Sequence, residues 1–158
     1  MAIRNLRLEG DEILKKKSRE VEVIDEKLQI LIDDMIETMH KYNGVGLAAV
    51  QVGILKRICV IDCGDDPILL INPKVLETSG EQIGQEGCLS VPGKCGVVTR
   101  PNYVKVLAYN ENMEPFEIEG TELLARAMMH EIDHLDGHVY TELVEGPLYD
   151  VAEAPEEE

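Results

Sequence analysis

Tryptophan is absent from this sequence, phenylalanine occurs once, and aromatic residues make up only 4% of 158 residues. Any core must therefore rest on Ile, Val, Leu and Met, and a hydrophobic content of 44% permits one. Positive charge is scarce: 15 Lys and Arg face 31 Asp and Glu, a formal balance of −16. Such a chain repels phosphate backbones, which argues against direct nucleic-acid binding. No stretch approaches the roughly 20 apolar residues of a membrane helix, so no membrane partner is expected. Residues 1–10 carry Arg4, Arg7 and Glu9 without an apolar run, so neither a secretory nor a transit segment is expected. A cytoplasmic location follows. There Cys59, Cys63, Cys88 and Cys95 stay reduced, and their spacing lacks the paired CxxC of a zinc ribbon.

No internal repeat and no Gly-, Ser- or Pro-rich linker interrupts the chain before residue 145. The length suits one domain. We expect a catalytic domain over 1–144 and an acidic, disordered tail over 145–158, which holds Glu145, Asp150, Glu153, Glu156, Glu157 and Glu158.

Residues 11–17 read as a short helical turn. Asp25 is an N-cap signal, followed at helical spacing by Leu28, Leu31, Ile32, Met35, Ile36 and Met39. Asn43-Gly44 marks the end of that helix. RICVID (57–62) and ILLIN (68–72) read as buried strands joined by a turn at Asp65-Asp66-Pro67. Further strands are expected over 74–78, 82–85, 103–109 and 116–119. A last helix spans 122–136 and is closed by Gly137. Strands followed by a helix, without βαβ alternation, predict an α+β fold with antiparallel sheets packed around that central helix.

The chemistry lies on this helix, in His130-Glu131-Ile132-Asp133-His134. Residues four apart share a helical face, so both imidazoles can grip one ion. A carboxylate just outside the ligand set can take a proton from water and pass it to a leaving group. Leu123, Leu124, Ala127, Met128 and Leu135 make the helix largely apolar, and buried histidines and acids demand partners. A third ligand is needed. Downstream stand His138 and several acids; upstream stands Cys88, a natural thiolate between Gly87 and a strand-like run. Cys59, Cys63 and Cys95 read as small buried hydrophobes. His40 and His138 read as surface residues, and Met128-Met129 as core.

Three segments resemble the motifs of bacterial-type peptide deformylases: Gly44-Val45-Gly46-Leu47-Ala48-Ala49-Val50-Gln51, Glu86-Gly87-Cys88-Leu89-Ser90 and His130 to His134. The looser resemblance runs from about Ile3 to Val144. It implies a metal-dependent hydrolase that removes the formyl group from the N-terminal formyl-methionine of nascent polypeptides and releases formate. It implies that Cys88, His130 and His134 ligate one divalent metal per chain. Fe2+ is the implied working ion, and Zn2+, Ni2+ or Co2+ are alternatives in purified protein. Glu131 is implied as the proton carrier. The Gln51 amide and the Leu89 N–H are implied as oxyanion donors, and the Gly46 backbone as the support of the peptide. Val45, Leu89 and Ala127 are candidates for the methionine slot, while ordinary packing explains Val45 and Ala127 equally well. Glu86 is a candidate to orient backbone or a bound peptide. Arg100 and Asp133 are candidates for an ion pair.

The sequence departs from some relatives in three places. Met129 replaces a Gln before the first histidine, and Pro92-Gly93-Lys94-Cys95-Gly96 fills a stretch where an Arg contacts the peptide. An acidic end replaces a basic ribosome-docking helix, so any ribosome contact is at most transient. Two other readings stand beside this one: a zinc peptidase using the same HExxH chemistry, and a non-catalytic metal-stabilised binding protein. A structural zinc site wants four closed ligands, and only three present themselves.

Overall fold

The computed structural model describes residues 2–64 and 66–151. Helix α1 spans Glu26–Lys41, and the Asp25 side chain caps it by accepting from the Leu28 N–H at 2.9 Å. After α1, Asn43 takes φ 56°, and the Gly44 N–H returns to the Met39 carbonyl at 2.9 Å. Strands follow at β1 (Gly46–Ala48), β2 (Ile58–Ile61), β3 (Ile68–Ser79), β4 (Gln82–Cys88), β5 (Val91–Arg100), β6 (Tyr103–Tyr109) and β7 (Pro115–Thr121). Helix α2 spans Glu122–Leu135, and β8 spans Glu145–Asp150. A five-stranded sheet in the order β1-β2-β3-β6-β7 and a three-stranded sheet in the order β4-β5-β8 are antiparallel throughout. This is the expected α+β architecture. No helix among the described residues is long and apolar enough to cross a membrane.

The larger sheet is covered on both faces, which is why β2 reads as an unbroken apolar run. Ile58 and Val60 join Leu31, Ile32, Met35 and Met39 of α1 in one core. Cys59 and Ile61 point the other way, into a second core with Ala125, Met128, Ile132 and Leu135 of α2. Val91 and Val98 of the smaller sheet belong to that second core as well. The ligand-bearing helix therefore lies between the two sheets. Gly137 closes it at φ +86°, where a Cβ would meet the Lys15 carbonyl at 2.5 Å.

Several expectations are corrected. The strands expected at 68–72 and 74–78 form one strand, because Asn72 takes φ 50° and carries the chain through a bulge before Lys74. Its side chain is fixed there by two bonds to the Val21 backbone. Asp65 of the expected turn lies outside the described residues. The tail expected to be disordered from residue 145 instead opens with β8, whose backbone bonds to β5; composition alone hid this, since edge pairing needs no apolar run. Glu153, Glu156, Glu157 and Glu158 lie outside the described residues. Cys63 is exposed beyond the end of β2 rather than buried.

Candidate metal centre

Helical periodicity turns His130 and His134 to one side of α2, and both are buried. Strand β4 ends opposite them. Glu86 and Cys88, two apart on that strand, both meet the helix. Cys88 Sγ lies 3.3 Å from His134 Nε2. Ligand atoms of Cys88, His130 and His134 all lie within 4.8 Å of one another. His130 Nδ1 is bonded to a Glu86 oxygen, which leaves Nε2 for a ligand. A thiolate with two imidazoles, one of them braced by a carboxylate, fits a divalent transition metal. His138, the downstream alternative, is exposed beside Glu142 at 3.3 Å and is not in this cluster.

Glu131 stands next to the trio. It is buried, its Oε1 has no partner among the described residues, and its Oε2 is 4.0 Å from His130 Nε2. Gly46 makes this possible: a Cβ there would fall 2.5 Å from Glu131 Oε2. Gln51 is held by the Ala48 N–H, which donates to its Oε1 at 2.9 Å. Its amide nitrogen therefore faces the centre, donating to Ser90 Oγ at 3.0 Å and reaching Cys88 Sγ at 3.5 Å. A cleft of about 790 Å3 opens in front, within the range of small-ligand sites. Val45, Gly46, Leu89 and Ala127 line it with Gln51 and Glu131.

Burial pushes Glu131 up to about 7. Burial lowers His134 well below the usual imidazole range, and His130 adds to that effect. Burial also opposes charge on His130, but Glu131, Cys88 and Glu86 outweigh it and raise that group. Burial raises Cys59 well above an ordinary thiol, which keeps it protonated and inert.

Glu86, the candidate to orient backbone or a bound peptide, stands at the cleft with its carboxylate bonded to protein side chains. Arg100 Nη2 donates to Glu86 Oε1 at 2.6 Å, Arg100 Nε to Oε2 at 3.1 Å, and Arg126 Nη1 to Oε2 at 2.8 Å. With His130 also on Oε1, the carboxylate is spent on the protein. The Arg100–Asp133 ion pair is present at 2.7 Å. Burial would raise Glu86, but bonds from His130 and Arg100 outweigh it and bring it down to about 2. A lowered carboxylate stabilises the fold fully above its unfolded value of 4.5 and loses that contribution as pH falls towards 2. The effect is on the order of 3 kcal/mol. The melting-temperature gap between wild type and Glu86→Gln is therefore expected to narrow as pH falls through this window; a constant gap would contradict it.

A family model for polypeptide deformylase matches residues 3–147. The chain belongs to the polypeptide deformylase family. It is 63% identical over 151 residues to the peptide deformylase of Agathobacter rectalis, with 96% of each chain covered. It is 58% identical to that of Lachnoclostridium phytofermentans over 100% of this chain and 99% of the relative. The crystal structure of the Thermotoga maritima peptide deformylase superposes with a TM-score of 0.89 at 39% identity, covering 91% of this chain and 99% of that one. A Synechococcus elongatus deformylase in complex with actinonin gives 0.88 at 42% identity, with 90% and 79% covered. The deformylase motifs thus converge on one centre. The reading from sequence missed Arg126 and Tyr140. Arg126 precedes His130 by one helical turn, a spacing that points to it; the Tyr140 ring stacks on His130 at 5.9 Å from beyond the helix, and no motif signals that.

Proposed function

We propose that the chain hydrolyses the N-formyl group of formyl-methionyl peptides, releasing formate and a free amino terminus. The observation that carries this reading is the buried, unpartnered Glu131 Oε1 beside the Cys88–His130–His134 trio at the end of a lined cleft. The trio would hold one divalent metal, Fe2+ in the cell and Zn2+, Ni2+ or Co2+ in purified protein, which supplies Lewis acidity and lowers the pKa of water towards about 7.

Glu131 takes the proton from the attacking water and hands it to the departing amine nitrogen. Its burial keeps its basicity close to neutral pH, where both transfers are feasible. The Gln51 amide and the Leu89 N–H donate to the oxyanion that forms on the formyl carbon. A formyl carbon bears no side chain, so a cramped pocket excludes larger acyl groups. The Gly46 backbone supports the peptide, and Val45, Leu89 and Ala127 wall the methionine side chain. The substrate implies a bacterial cytoplasm in which translation starts with formyl-methionine. The balance of −16 keeps contact with the ribosome at most transient.

The test is formate release from a formyl-Met-Ala-Ser peptide by metal-loaded protein. Rapid formate is expected; casein cleavage without formate would favour a peptidase. Gln51→Ala is expected to lower kcat by about a hundredfold or more, the cost of one oxyanion donor, with metal content unchanged. An unaltered kcat would remove Gln51 from the reaction.

A further inference from the structure

We propose that Arg126 is a positioning residue that sets the register between the helix carrying two ligands and the strand carrying the third. The inference rests on Cys88, His130 and His134 being the ligand set. Those ligands come from different layers. Helix α2 packs on the five-stranded sheet, whereas Cys88 ends β4 of the three-stranded one. A shift of α2 along β4 would separate the thiolate from both imidazoles.

Arg126 spans that boundary. It lies one turn before His130, on the same side of α2, and is 8% exposed. Its Nη1 donates to Glu86 Oε2 at 2.8 Å and to the Val98 carbonyl at 3.2 Å, and its Nε reaches Gln82 Oε1 at 3.4 Å. One side chain from the helix thus fastens both β4 and β5. Arg100 makes the reverse crossing, from β5 to Asp133 on α2 at 2.7 Å. Between the two arginines sits Glu86, which holds His130. The cluster pairs two guanidinium groups with two carboxylates, as charges taken out of water require. Several partners at fixed angles need a planar fork, which Lys does not supply. Without Arg126, Glu86 Oε2 keeps one donor and the Val98 carbonyl loses its contact with the helix.

The probe is Co2+ alone, added to the metal-stripped full chain, with affinity read by chelator competition. The thiolate-to-Co2+ charge-transfer band reports Cys88. Arg126→Leu is expected to weaken Co2+ binding at least tenfold and diminish that band, in keeping with the 10–100-fold cost of losing a supporting contact. Arg126→Lys, which keeps one donor, is expected to weaken it severalfold. Wild-type affinity and band in Arg126→Leu would overturn the proposal, as would a variant that binds Co2+ normally and only raises KM. Should Arg126→Leu fail to fold, unchanged affinity in Arg126→Lys overturns it. Absence of the thiolate band in the wild type would overturn the ligand assignment itself.

Discussion

Glu131→Gln is expected to slow formate release about a thousandfold, the middle of the range for a lost acid–base group. The substitution preserves shape and leaves Gly46 undisturbed, so metal content and fold should not change. The amide cannot accept a proton from water, so kcat should fall while KM moves little. The pH dependence carries a second signature. A base must be ionised to act, so the rate rises as pH climbs through its pKa. Burial sets that value at about 7 for Glu131, and a nearby bound cation shifts the limb to lower pH by favouring the carboxylate. The acid limb should be absent from the residual rate of Glu131→Gln. A rate within tenfold of wild type, or an unchanged acid limb, would show that another group carries the proton.

Cys88→Ala is expected to abolish activity by a different route. The side chain meets Gln51 at 3.5 Å and His134 at 3.3 Å and packs at the edge of the α2 core. It is only half-buried, at the end of β4, so the fold should tolerate alanine. Removing the thiolate leaves two imidazoles, too few to hold an ion against a chelator. Metal content after dialysis should drop well below one per chain, and formate release should fall to background. Circular dichroism should be unaltered. Stoichiometric metal in Cys88→Ala would return the third-ligand role to another residue.

These residues also show how far the sequence could be read. The helix 122–136 and its two histidines were legible because four-residue spacing is local and α2 runs unbroken over Glu122–Leu135. RICVID was legible because a strand covered on both faces has no polar alternation. Strand β5 was not, because Pro92, Gly93, Lys94 and Gly96 give it turn-like composition and its pairing with β4 and β8 is a tertiary fact. The role of Glu86 was hidden for a similar reason. Nothing local shows that Arg100, Arg126 and His130 converge on it, although its two-residue spacing from Cys88 placed it on the same strand face. Gly46 was named from its motif, yet its physical reason appears only when Glu131 is seen against its Cα.

The most direct test of metal-dependent deformylation follows formate from formyl-Met-Ala-Ser with anaerobic, Fe2+-loaded wild-type protein, then after chelation, then after Fe2+ is restored. Rapid release, loss with the chelator and recovery on reloading are expected. Formate release that survives complete metal removal, or its absence from protein holding one metal per chain, would contradict it.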